Sequence, residues 1–184
     1  SKIMNEFLKQ ANLIKDEIIN YRRTIHKNPE VGAELPKTKA YVMEQLKKMG
    51  YEPKEICESG IVATLEGNKS GKTFLLRADM DALPMKENNE CDFKAENGCM
   101  HSCGHDMHTA MLLGAAKLLM QNKEQIEGTV KLVFQPDEEG FTGSKKMIQA
   151  GVLENPKVDA AMAMHVHSGT PSNVILCGLG TSIA

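Results

Sequence analysis

The chain has 184 residues, a length that suits one domain and can bury a sizeable core. Its 41% hydrophobic and 25% charged residues are ordinary for a globular protein, while a net charge of −2 and only 4% aromatic residues argue against a nucleic-acid or anionic-membrane surface. No apolar run reaches the roughly 20 residues of a membrane span, and SKIMNEFLKQ lacks a signal-peptide core, so a cytoplasmic location is expected.

Ile3 to Lys27 read as one amphipathic helix, with Phe7, Leu8, Ala11, Ile14, Ile18, Tyr21 and Ile25 recurring at three- and four-residue steps until Asn28-Pro29 ends it. A second helix starts at Pro36 and stops at Gly50, its apolar face being Ala40, Val42, Met43, Leu46 and Met49. The pattern then changes: Ile61 to Leu65 and Thr73 to Ala78 are strand candidates flanking a turn at Asn68 to Gly71. Asp106 to Gln121 predicts a helix that Asp106 can cap, with Met111, Leu112, Ala115, Leu118 and Leu119 along one side. Thr129 to Phe134 is a third strand, Ser144 to Ala150 a helix closed by Gly151, Val158 to Val166 a fourth strand and Asn173 to Leu176 a fifth. This order describes an α/β domain of three layers, a mostly parallel twisted sheet with helices on both faces. Ligands of such sheets sit beyond the carboxyl ends of the strands. Asp79, Glu138, Glu139 and His165 fall at those ends.

The densest chemistry lies in CMHSCGHDMH (99–108), where Cys99, His101, Cys103, His105 and His108 offer thiol and imidazole ligands suited to zinc and its neighbours. Gly104 lets the chain turn so that Cys103 and His105 face one point, and the helix that begins here is expected to favour the thiolate of Cys103. The same residues also fit a closed structural zinc knot of Cys99, Cys103 and two histidines. The five cysteines, an odd number, point to free thiols or metal ligands rather than a disulfide framework. Glu138 and Glu139, adjacent in a strand-end loop, can divide metal binding from proton transfer, and a solvated acidic turn is the plainer alternative. His165 and His167 share a face if extended, opposite Met162 and Met164, which are most simply core. Asp79 could orient a ligand imidazole or pair with Arg77.

Together, RRTIHKNPEVGAEL (22–35), LLRADMDALPM (75–85), HSCGHDMHTAMLLGAA (101–116), FQPDEEG (134–140) and AMHV (163–166) resemble the amidohydrolase branch of the co-catalytic metallopeptidases, which includes aminoacylases, hippurate hydrolases and auxin-conjugate hydrolases. The resemblance implies hydrolysis of the amide bond of N-acyl amino acids by a water shared between two divalent metal ions, whether zinc, manganese, cobalt or nickel. It makes Cys103 the bridging ligand, adds His105 and His165 on one metal and Glu139 on the other, makes Glu138 the general base and acid, and makes Asp79 the acid standing behind the ligands. It further implies that residues 1–184 are the N-terminal part of a metallohydrolase catalytic domain. The family's inserted dimerisation domain and a late metal-binding His are then expected beyond this chain, with a homodimer as the full-length protein. The partner implied is a small-molecule substrate, with no nucleic acid and no membrane. Two rival readings remain at this point: a cysteine hydrolase pairing Cys103 with His105 or His108, and a metal-stabilised module without enzymatic activity.

Overall fold

The computed structural model describes residues 2–178. Five helices, α1 (Lys2–Leu13), α2 (Lys15–Lys27), α3 (Pro36–Lys48), α4 (His105–Gln121) and α5 (Gly143–Gln149), surround strands β1 (Lys54–Ile56), β2 (Gly60–Glu66), β3 (Lys69–Asp79), β4 (Glu127–Gln135) and β5 (Ala160–Ala163). The strands form one sheet in the order β1-β2-β4-β3-β5. The β4-β3-β5 half is parallel and the β1-β2-β4 half antiparallel, so the α/β class holds with a mixed sheet.

Alternation along the strands produces the layers. In β4, Leu132 and Phe134 face a core shared with Tyr21 and Ile25 of α2, Val42 and Leu46 of α3, and Leu112, Leu113 and Ala116 of α4. Val133 faces the opposite way, onto Met147 of α5, Val152 and Leu75. This is the period of two expected of a strand covered on both faces.

Several elements differ from the sequence expectation. The first helix breaks at Ile14, whose backbone (φ −103°, ψ 12°) leaves the helical region while its side chain stays buried. The bend carries α1 along the end of α4, where Gln10 and Asn122 join their side-chain amides. The strand β1 was not apparent because three residues carry too short a pattern. The strand expected over Val158 to Val166 is confined to Ala160–Ala163, and Asn173 to Leu176 form no strand. Since β5 lies at the edge of the sheet, Met162 and Met164 are exposed rather than core.

Asp106 does not cap α4. The N-cap is Gly104, and no side chain caps the helix. Asp106 instead lies buried in the first turn, bonded to Arg22 Nε and His26 Nδ1 of α2, both at 2.8 Å. An ion-paired acid in the first turn still suits the helix's positive end. It also explains the RRTIH segment, in which Arg22 and His26 lock α2 onto the start of α4. The far side of His26 meets the Glu87 carboxylate at 3.0 Å, and Glu87 also accepts the Ala95 N–H at 2.8 Å.

Glu87 generates a pH prediction. Burial opposes its ionisation, but the Ala95 N–H and the His26 ring outweigh burial and hold its carboxyl down to about 2 against an ordinary 4.5. A folded value below the unfolded one means that the carboxylate contributes stability above about pH 4.5 and that this contribution is lost as pH falls through about 2. Glu87→Gln is expected to flatten the acid limb of the pH–stability curve in that window, measured by urea unfolding at successive pH values. An acid limb of unchanged slope would assign the sensitivity to other groups.

Candidate metal centre

The parallel half of the sheet brings the polar residues to one end. Asp79 closes β3 opposite Gln135, which closes β4, and Met80 N–H bonds the Gln135 carbonyl at 2.9 Å. Beyond these ends the chain turns into two loops. The loop after β4 delivers Glu138 and Glu139, with Asp137 at a positive φ of 51°. The segment after β5 delivers His165. Helix α4 starts over the same end and contributes His105 from its first residue, with Cys103 just ahead of it.

Gly104 makes the approach possible. Its φ of +87° is left-handed, and a Cβ built there would stand 2.3 Å from Val166 Cγ2. Any other residue would be strained in its backbone and would push the His165 segment away.

Five side chains named from sequence, Cys103, His105, Glu138, Glu139 and His165, converge, with Asp79 beside them. Cys103 Sγ lies 3.5 Å from His165 Nε2. His105 is fully buried, and its Nε2 lies 3.7 Å from Glu138 Oε2, 3.7 Å from Glu139 Oε1 and 3.6 Å from Asp79 Oδ2. Cys103, His105 and His165 form one group whose ligand atoms lie within 4.8 Å of one another, and His105, Glu138 and Glu139 form a second. The two groups share His105.

Ring tautomers follow from the bonding partners. His105 Nδ1 is 2.8 Å from the Asp81 backbone carbonyl, which only accepts, so the proton sits on Nδ1 and Nε2 points into the cluster. His165 Nδ1 meets the Val166 carbonyl at 2.6 Å, which likewise leaves Nε2 facing Cys103. Asp81 also uses both carboxylate oxygens to receive the backbone N–H groups of Glu138 (3.0 Å) and Glu139 (3.1 Å). One buried acid thus fixes an imidazole and the loop of the paired glutamates.

The site contains unsatisfied atoms of a particular kind. His105 Nε2 and Glu139 Oε1 are buried and have no hydrogen-bond partner. Buried polar atoms are ordinarily paired, and these two, with Asp79 Oδ2 behind them, are a nitrogen lone pair and carboxylate oxygens beside a thiol. That donor set fits a borderline divalent cation such as zinc.

Electrostatics say the same. Burial works against protonation of His105, but its bond to Asp81 and the charges of Asp79 and Glu138 outweigh burial and raise its pKa. Burial, the adjoining Glu139 and then Glu138 and Asp79 push the Cys103 thiol up to about 12. The expectation that the helix start would favour the thiolate is therefore corrected. A helix terminus contributes only a fractional charge, and four carboxylates surround this one. The cluster is short of positive charge.

The remaining sequence candidates sort themselves spatially. Cys99 belongs to none of the ligand groups among the described residues, and this disfavours the closed zinc knot. His167 does not share the site with His165, because β5 ends at Ala163 and His167 turns back to accept the Gly169 N–H at 3.2 Å. Asp79 does not bond His105. It bonds His108 Nδ1 at 2.6 Å and is paired with Arg77 at 2.9 Å. Asp81 takes the place behind His105. Nothing in the sequence singles out Asp81 for this role, because no spacing rule distinguishes a carboxylate that bonds loop backbone from one that does not. All five cysteines are free, and no helix among the described residues is long and apolar enough to cross a membrane.

Comparison with known proteins agrees with this geometry. Residues 75–180 match the model of peptidase family M20/M25/M40, a span that includes every candidate ligand. Thermostable carboxypeptidase 2 of Saccharolobus solfataricus is 46% identical over 176 residues, covering 93% of this chain and 44% of that protein. The N-acyl-L-amino acid amidohydrolase of Geobacillus stearothermophilus is 39% identical over 166 residues, covering 89% and 44%. The crystal structure of the Bacillus subtilis YXEP protein, described as a dinuclear metal-binding peptidase, superposes with a TM-score of 0.83 at 35% identity, covering 87% of this chain and 45% of that one. The chain spans less than half the length of each of these relatives. By its sequence, fold and clustered ligands, this chain belongs to peptidase family M20/M25/M40.

Proposed function

We propose that residues 1–184 form the N-terminal part of the catalytic domain of a metal-dependent amidohydrolase that cleaves N-acyl amino acids into a carboxylic acid and an amino acid. The observation carrying this reading is the pair of buried, unpartnered atoms, His105 Nε2 and Glu139 Oε1, facing the same space as Cys103, His165 and Glu138. The relative named an N-acyl-L-amino acid amidohydrolase supports the substrate class, and the neighbour described as dinuclear supports two cations. Five free cysteines fit the reducing cytoplasm.

In this reading Cys103, His105 and His165 would hold one divalent cation, whether zinc, manganese, cobalt or nickel, and Cys103 with Glu139 would hold a second. When bound, the cations supply Lewis-acid polarisation and positive charge at the acyl carbonyl. The protein's own groups do the rest. Glu138 accepts the proton of the attacking water and returns it to the leaving amine nitrogen. The two glutamates stand at equal distances from His105. Of the two, Glu139 acts more strongly on the Cys103 thiol, which supports Glu139 as ligand and Glu138 as the acid free for proton transfer. Asp81 holds both residues by their backbone N–H groups and keeps His105 turned inward.

The cysteine-hydrolase alternative is disfavoured by electrostatics. A nucleophilic cysteine works as a thiolate with a lowered pKa, whereas the metal-free Cys103 thiol is raised to about 12. A chelator separates the two readings, because a cysteine hydrolase survives it and a metalloenzyme does not.

Two substitutions test the assignments in the chain extended to its relatives' length. Glu138→Gln is expected to lower turnover of N-acyl amino acids by about 10²–10⁴-fold with metal content unchanged by elemental analysis; near-normal turnover would remove Glu138 from the base role. Cys103→Ala is expected to lower the metal content itself. Full metal loading with activity retained would contradict the bridging assignment.

A further inference from the structure

His108 has no place in the ligand set above, yet it is buried among the ligands, its ring stacked 5.5 Å from His105 and 4.5 Å edge-on from His165. Its two nitrogens are both engaged. The Val166 backbone N–H donates to Nε2 at 3.0 Å. A backbone N–H cannot accept, so Nε2 carries the lone pair and Nδ1 carries the proton, which it gives to Asp79 Oδ1 at 2.6 Å. The Nε2 lone pair is therefore spent on a peptide. Although Asp79, His105 and His108 come close enough to hold a cation, this bonding removes His108 as a ligand.

The N–H that His108 holds belongs to Val166, whose carbonyl, one peptide unit further on, receives His165 Nδ1–H. A continuous run of bonds follows. Arg77 pairs with Asp79, Asp79 accepts from His108, His108 accepts from Val166 N–H, and Val166 C=O accepts from His165, whose Nε2 then faces Cys103. This run stands in for secondary structure, because β5 has already ended at Ala163 and, among the described residues, no strand pairs with the segment beyond it. On the other side Gly104 leaves the room that Val166 fills.

We infer that His108 is a positioning residue for the metal centre: through the Val166 backbone it sets both the place and the tautomer of His165, and Asp79 serves His165 by this route. The inference rests on the metal-site reading above and adds to it a residue and a path.

The test uses cobalt(II) titration of the complete protein, read by the thiolate-to-cobalt charge-transfer band and the ligand-field bands, with thermal unfolding alongside. His108→Gln reaches the Nε2 position with an oxygen that accepts the Val166 N–H but gives up Asp79. His108→Asn ends at the Nδ1 position, keeps a donor for Asp79 and gives up Val166. Each loses one buried bond, so a purely structural role predicts similar losses for both. The positioning role predicts that Gln retains the wild-type ligand-field spectrum and an affinity within about threefold, while Asn weakens cobalt binding by about 10–100-fold, as loss of groups behind a ligand does, with weaker ligand-field bands as water replaces His165. Equal effects of the two variants, or a wild-type spectrum in Asn, would overturn the inference. Absence of any thiolate-to-cobalt band in the wild type would instead overturn the metal-site reading itself, a result distinct from equal variants.

Discussion

Four carboxylates, Asp79, Asp81, Glu138 and Glu139, stand around one buried imidazole, and the geometry of this end of the molecule is an answer to that crowding. Like charges in a low-dielectric setting repel strongly. Arg77 offsets part of the charge at Asp79, and loop backbone N–H groups take up Asp81. What remains falls on His105 and Cys103, whose pKa values are both displaced upward, toward holding protons. A protein that spends its stability on such a cluster has a use for bound positive charge. Divalent cations supply it, and in doing so they displace the protons that the cluster otherwise retains.

The sheet makes the crowding unavoidable. Because β3 lies between β4 and β5 and runs parallel to both, all three chains emerge at the same end, and each emerging loop carries acid or imidazole. Helix α4 closes the group from above, held there by its Leu112 and Leu113 face in the core and by the Arg22–Asp106–His26 network at its start. The candidate metal ligands thus rest on elements whose positions are set by apolar packing, which is where a site of narrow tolerance is best supported. The antiparallel half of the sheet, β1 and β2, carries none of the candidate ligands and extends the platform.

How much of this could be read from the residues depended on the range of the signal. Pro36, Gly50, Gly151 and the apolar periods of α3, α4 and β4 are local and specified their elements closely. The candidate ligands Cys103, His105, Glu139 and His165 drew notice because their types are chemically distinctive, and the structure brings them to one end of the sheet. Long-range choices were not legible. The helix break at Ile14 depends on where α4 ends, and the exposure of Met162 depends on β5 being an edge. Asp106 matched a capping pattern, but Arg22 and His26, some eighty positions away, bid higher for its carboxylate. His108 was legible only as one more imidazole of the cluster, and the roles of His108 and Asp81 were not legible, since each acts on a backbone group, and backbone groups leave no mark in a sequence.

The most direct test of the convergent cation pocket is X-ray absorption at the zinc edge of the protein loaded with one equivalent of zinc. The account predicts a scattering shell containing one sulfur at about 2.3 Å together with nitrogen or oxygen at about 2.0–2.1 Å and the outer-shell pattern of imidazole. A zinc surrounded only by light atoms, with no sulfur and no imidazole pattern, would contradict it.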